Sequence, residues 1–140
     1  MDLGLKGKGA LVMAASSGLG KGTALELCRE GTRVVLLSSN EEKLRAAQAD
    51  MARQTGNQPD YVVCDLKEQG AVGRAVAETA ERLGGLDVLV TNAPGPRGGP
   101  FVSLTDEDWH SAYQLSLLVH VQAIRAALPH MLSQGGGRIL

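Results

Sequence analysis

Met13-Ala14-Ala15-Ser16-Ser17-Gly18-Leu19-Gly20 follows a short apolar run, Ala10 to Ala14, and opens a segment with helical spacing, Leu19 to Glu30. A turn of small residues between a strand and a helix lets backbone N–H groups face an anion at the positive end of the helix dipole. Glycine is needed there wherever a side chain would block the anion or the contact between helix and strand. Three common patterns fail on this stretch. Only Gly18 and Gly20 have the spacing of G-x-G-x-x-G. A phosphate loop, G-x-x-x-x-G-K-[S/T], would need Gly at Ala15 and a hydroxyl at Gly22. A nucleophile elbow, G-x-S-x-G, finds no glycine in register before Ser16 or Ser17. Taken alone, the turn is either a phosphate cradle or a glycine-rich turn that holds nothing.

Outward from this turn, apolar runs alternate with helix-period segments. In the helix that follows, Leu19, Thr23, Ala24 and Leu27 share a face, and Gly31 stops it. Arg33 to Leu37 is a second strand, apolar on both faces, which requires helices above and below. Asn40 caps a helix over Glu41 to Gln54, opened by two glutamates. Tyr61 to Cys64 is a third strand, Ala71 to Leu83 a third helix ended by Gly84-Gly85, and Leu86 to Val90 a fourth strand. Thr105 caps a further helix, with Asp106, Glu107 and Asp108 in its first turn. That pattern continues to about Gln134, and Pro129 is expected to bend or disturb its last turns. Gly135-Gly136-Gly137 turns the chain into a fifth strand at Arg138-Ile139-Leu140. The alternation predicts an α/β fold, a doubly wound parallel sheet with right-handed crossovers, as one domain over residues 1–140. Sheets avoid an edge left bare at the start of an apolar strand, so this domain is expected to be truncated there.

Hydrophobic residues make up 44% of the sequence and charged residues 21%, with a net charge of −1. That balance suits a soluble globular domain and gives no reason to expect nucleic acid or a membrane as partner. Aromatic residues are only 3%, so the core must be aliphatic. No run approaches the ~18 apolar residues of a membrane span, and Met1 to Lys8 lacks a signal-peptide pattern. Cys28 and Cys64 lie in apolar segments without a C-x-x-C neighbour. They are read as buried reduced thiols of a cytoplasmic protein, not as zinc ligands. His110, His120 and His130 are too far apart for a helical metal pair, so no metal is expected.

Read from Met13 to Gly20, the turn resembles the T-G-x-x-x-G-[I/L]-G pattern of the short-chain dehydrogenase/reductase family. Ser16, Ser17, Gly18, Leu19 and Gly20 match well, while Met13 and Ala14 replace Thr and the first Gly. Further matches follow in order. Cys64-Asp65-Leu66 resembles the family's Asp-Leu pair, whose Asp bonds the adenine amino group; an N-cap is the other reading of Asp65. Thr91-Asn92-Ala93-Pro94-Gly95 resembles N-N-A-G, with Asn92 and Ala93 matching and Pro94 altering the path of the loop. The Asn92 amide is expected to brace buried backbone groups. Trp109, Ala126 to Met131 and Gly136-Gly137-Arg138-Ile139-Leu140 fall where the family has similar residues. The resemblance covers essentially the whole chain. It implies a Rossmann sheet in the order 3-2-1-4-5 and a nicotinamide dinucleotide bound by Ala14, Ser16 to Gly20, Ser38 to Asn40, Asp65, Leu66, Asn92 and Ala93.

In the family an acid at the end of strand two binds the ribose 2′-hydroxyl and repels a 2′-phosphate. Here Ser38 holds that position, followed by Ser39 and Asn40, which favours NADP over NAD. Lys21 either adds positive charge nearby or is a solvated lysine at the helix start. The resemblance implies catalysis by a Ser, a Tyr and a Lys four positions later, all expected beyond Leu140. Tyr61 and Tyr113 are followed at that spacing by Asp65 and Leu117. Ser116 takes the place of an Asn that assists the family's proton relay; it either holds a water or merely packs in a helix interface.

The expected function is hydride transfer between a nicotinamide cofactor and a small carbonyl or alcohol substrate. The 140 residues alone are expected to be inactive. A non-catalytic nucleotide-binding module is the alternative, and a P-loop-like nucleotidase a weaker third. Overall resemblance is greatest to 3-oxoacyl-carrier-protein reductases. Arg97 either meets an anionic substrate or faces solvent. Leu115 to Leu132 is apolar nearly all round, which calls for a second buried face and a homodimer or homotetramer, with Leu118 or Val121 near the contact.

Overall fold

The computed structural model describes all 140 residues. β1 (Gly9–Met13) is buried at every position, because it pairs in parallel on both sides. β2 (Arg33–Ser38) lies on one flank and β4 (Val88–Val90) on the other. β3 (Asp60–Val63) and β5 (Arg138–Ile139) complete an all-parallel sheet in the order 3-2-1-4-5. Alternation along the central strands divides the core. Ala10, Val12, Val34 and Leu36 face the layer that buries Ala24, Cys28, Leu44, Ala47 and Met51. Leu11, Met13, Val35 and Leu37 face the layer of Val72, Ala75, Val76, Val119 and Ala123. Burial on both faces is why these strands read as continuous apolar runs.

The first layer consists of α1 (Gly18–Arg29) and α2 (Glu41–Thr55). The second consists of α3 (Ala71–Leu83) and α5 (Val119–Ser133), which pack on each other. Local chemistry sets several ends. Asn40 caps α2, its Oδ1 accepting from Lys43 N at 2.9 Å. Gly56 and Gly84 end α2 and α3 with φ of 71° and 69°, where only glycine is unstrained. α4 (Asp106–Tyr113) opens with a capping box between Thr105 and Asp108.

Four expectations need correcting. The buried face of α1 is Gly20, Ala24 and Cys28, whereas Leu19, one residue before Gly20, points off that face and is 86% exposed. The first strand ends at Met13, since Ala14 turns out of it. The last turns of α5 stay helical through Pro129 to Ser133, so the disturbance expected there is not seen; an irregularity lies earlier, in a π-helical turn over Gln114–Leu118. That turn joins α4 to α5 in one helix, Asp106–Ser133, of 28 residues, with an 18-residue window of mean hydropathy 1.2. By length and composition this is long and apolar enough to cross a membrane, which a count of consecutive apolar residues missed. Its inner residues Leu115, Val119, Ala123, Ala127 and Met131 are packed in the protein core.

Both cysteines are buried and unpaired, and burial pushes each thiol up to about 11. At pH 8 such a thiol is ionised to only about one part in a thousand, and the thiolate is the reactive form. In the folded protein Cys28 and Cys64 are expected to react with an aromatic disulfide reagent at least tenfold more slowly than in urea. Equal rates in the two states would show that neither thiol is shielded.

Candidate dinucleotide cleft

β1 and β2 are paired from Gly9↔Arg33 to Met13↔Leu37, so their carboxyl ends lie side by side. β1 also pairs with β4, and the helices that follow β1 and β4 leave toward opposite faces of the sheet. A crevice must open where the chain parts in this way. The structure has a cleft of about 710 Å³ there. It is lined by the glycine turn, the ends of β2 and β3, and the segment after β4.

The glycine turn is built from three constraints. Ala14 has φ of 49°, the only residue other than glycine in the left-handed region. Gly18 has φ of 56°. Gly20 packs so closely that a Cβ would lie 2.3 Å from the Ala14 carbonyl oxygen and 3.0 Å from Asn92 Nδ2. Ser17 occupies the cap position of α1, but its side chain makes no capping hydrogen bond. The N–H groups of Gly18, Leu19 and Gly20 therefore find no acceptor in the chain. Gly18 and Leu19 line the cleft, so unpaired donors at the positive end of a twelve-residue helix stand at its wall.

Of the thirteen residues expected to hold a dinucleotide, twelve line this cleft: Ala14, Ser16 to Leu19, Ser38 to Asn40, Asp65, Leu66, Asn92 and Ala93. Gly20 stands behind the wall as the point of contact between helix and strand. Ser16 Oγ and Ser38 Oγ are 3.0 Å apart, bridging the first two strand ends. Asp65 accepts from Lys67 N at 2.9 Å through Oδ1. Asn92 is half-buried and makes no hydrogen bond within the chain, so the bracing expected of its amide is not seen. Ser116 lies in the π turn, exposed and outside the lining, although its neighbour Leu115 is part of it.

Charges sort differently from the sequence reading. Lys21 is paired with Asp50 at 2.9 Å and is absent from the lining, so it is not among the cations that face the cleft. Arg97 pairs with Asp108 at 2.7 Å rather than standing free for a substrate. The backbone N–H of Thr105 and then the Thr105 hydroxyl and Arg97 hold the Asp108 carboxyl below its ordinary value. Two lysines the sequence reading missed, Lys43 and Lys67, line the cleft instead. Only the position of Lys43, three residues beyond the Asn40 cap, signalled that it would face the end of β2. No group of three or more His, Cys, Asp and Glu side chains is placed to hold a metal ion.

A sequence model of the short chain dehydrogenase family matches residues 8–140, and the chain belongs to that family. Short chain dehydrogenase/reductase astE of Aspergillus oryzae is 33% identical over 95% of this chain and 51% of its own length. L-sorbose reductase from Gluconobacter frateurii, solved with NADPH and L-sorbose, superposes with a TM-score of 0.92 at 29% identity, over 99% of this chain and 53% of that one. The actinorhodin polyketide ketoreductase solved with NADPH has a TM-score of 0.87 at 36% identity, over 94% of this chain and 51% of that one. The chain thus spans about half the length of the relatives it matches.

Two of the three glycines of α1, Gly22 and Gly20, should respond oppositely to alanine. Gly22 has nothing within 4 Å of a Cβ, so Gly22→Ala is expected to stabilise the fold by about 0.5–1 kcal/mol. Gly20→Ala drives a methyl into the Ala14 carbonyl and should cost about 1–3 kcal/mol. Urea unfolding of both variants checks this, and a Gly20→Ala protein as stable as the parent would contradict the packing.

Proposed function

We propose that these residues form the cofactor-binding half of an oxidoreductase that moves a hydride between NADP(H) and a small carbonyl or alcohol compound. The observation that carries the reading is the pair of unpaired N–H groups of Gly18 and Leu19 in a cleft whose β2 end has serine in place of an acid. The N–H groups suit a pyrophosphate, and Ser38, Ser39 and Asn40 offer donors without a carboxylate to repel a 2′-phosphate. NADPH in the two solved relatives supports the same choice. When bound, the nicotinamide would supply the hydride. This chain's residues would grip the dinucleotide: the glycine turn at the diphosphate, Ser38 at the adenosine ribose, Asp65 and Leu66 at the adenine, and Asn92 and Ala93 along the far wall. Ser116 stands in the place of a relay Asn, with its hydroxyl open to a water.

A ketoreductase among the similar structures supports a ketone-bearing substrate of the 3-oxoacyl kind. No Tyr-x-x-x-Lys occurs in the 140 residues. For this stretch in isolation, that favours nucleotide binding without turnover. The buried thiols suit a reducing compartment such as the cytoplasm.

Fluorescence titration of the full polypeptide carrying these residues tests the reading. NADPH is expected to bind at least tenfold more tightly than NADH, and Ser38→Asp to reverse the order. The 140 residues alone should reduce no carbonyl compound. Equal dissociation constants for the two cofactors would defeat the assignment to NADP, and turnover by the 140 residues would defeat their inactivity.

The outer face of the long helix carries Trp109, Tyr113, Leu117, Val121, Leu128 and Leu132, all substantially exposed. We propose that a second copy covers it, giving a homodimer or homotetramer. Val121→Arg would bury an unpaired charge at such a contact and should dissociate it; Leu118 is half-buried in the protomer and is the poorer probe. Light scattering showing a monomer before the substitution would reject the interface.

A further inference from the structure

We infer that Lys43 is the residue that selects the 2′-phosphate, acting from the first turn of α2 in place of a cation at the end of β2. The inference rests on the dinucleotide reading of the cleft. β2 ends at Ser38, and the next two residues, Ser39 and Asn40, offer hydroxyl and amide groups only. A phosphate set against these groups alone would be hydrogen-bonded but not neutralised. Lys43 lines the same wall as Ser38, Ser39 and Asn40. Its backbone N–H is held by Asn40 Oδ1 at 2.9 Å, which fixes where its side chain starts relative to that wall.

The charges around Lys43 leave it free for a ligand. Lys8 and Lys21 are in ion pairs, with Asp87 and Asp50, but Lys43 is in none. The two acids of the same turn, Glu41 and Glu42, do not line the cleft. Glu41 is turned toward Arg45 and Tyr61, accepting from Arg45 Nη2 at 2.8 Å and from Tyr61 Oη at 3.0 Å. Those hydrogen bonds, that from Arg45 first, hold its carboxyl below the usual range, so it stays a carboxylate engaged elsewhere. Lys67, the other lysine of the cleft, follows Asp65 by two residues, at the end of β3. Asp65 is the only acid in the lining, and Lys43 forms no ion pair with it. The arrangement also gives Ser38 a defined part. Its Oγ lies 3.0 Å from Ser16 Oγ and 3.4 Å from Asn40 N, so it joins the glycine turn to the start of α2.

Binding of NADPH, NADH, adenosine 2′,5′-bisphosphate and AMP to the full polypeptide, with and without Lys43→Gln, tests this. Lys43 is exposed and its side chain has no partner, so the variant is expected to fold normally. Loss of one charge-assisted contact should raise the NADPH dissociation constant roughly tenfold and leave NADH within about twofold. Adenosine 2′,5′-bisphosphate should lose its advantage over AMP, and the steep salt dependence of NADPH binding should flatten. Parallel losses for NADPH and NADH, or no change in either, would overturn the role of Lys43 while leaving the cleft intact. So would a loss of discrimination that follows Lys67→Gln instead. Failure of the unmodified protein to bind any of the four nucleotides would overturn the cleft reading itself, and Lys43 with it.

Discussion

The approach of α1 to the end of β1 governs this structure. At Gly20 the helix lies against the Ala14 carbonyl, with no room for even one carbon atom between them. Ala14 and Gly18 take left-handed backbone to bring the chain round. Because the turn is that tight, the unpaired N–H groups of Gly18 and Leu19 stand at the crevice, and Ser16 comes within a hydrogen bond of Ser38. A parallel sheet would form without this contact, but it would not present donors to a ligand. Ala14 also carries a methyl where left-handed backbone favours glycine, at a cost on the order of 1 kcal/mol that the buried turn must absorb.

Electrostatics in the cleft depend on which charges are engaged elsewhere. Of the cations near α1 and α2, Lys21 is tied to Asp50 and Arg45 to Glu41. The hydrogen bond from Lys21 is also the leading cause that holds Asp50 below its ordinary value. These pairs knit the outer surfaces of the helices and are individually weak, being solvent-exposed. None of their four side chains lines the cleft, and the end of β2 carries no negative charge because Ser38, Ser39 and Asn40 stand there.

Much of this was legible beforehand, for identifiable reasons. The strand order and the two-faced core follow from β1 and β2 being apolar at every interior position, a pattern that admits few architectures. Asn40 and Gly84 mark helix ends by backbone chemistry that acts over three or four residues, within reach of a linear reading. Leu19 was misread because its apolar character fits a helical stripe. The stripe cannot reveal that Leu19 stands off the buried face, at the cleft. For Lys21 and Arg97 the sequence left a ligand role and a solvated role both open, because Asp50 and Asp108, the partners they meet, come from other parts of the chain. Lys43 went unremarked because what matters is the wall it faces, which only the packing of α2 on the sheet defines.

The π turn at Gln114–Leu118 has a bearing on how the long helix is seen from outside. In a regular α-helix a step of four residues overshoots a full rotation by about 40°, so a row of side chains at that spacing wraps slowly around the axis. Trp109, Tyr113, Leu117 and Val121 have that spacing and straddle the wider turn, where each residue rotates less. The wider coil takes back part of the accumulated drift. A row that would have spiralled away is straightened into a ridge along one side, giving the irregular turn a part in the shape of the protein's outer surface as well as in the path of its backbone.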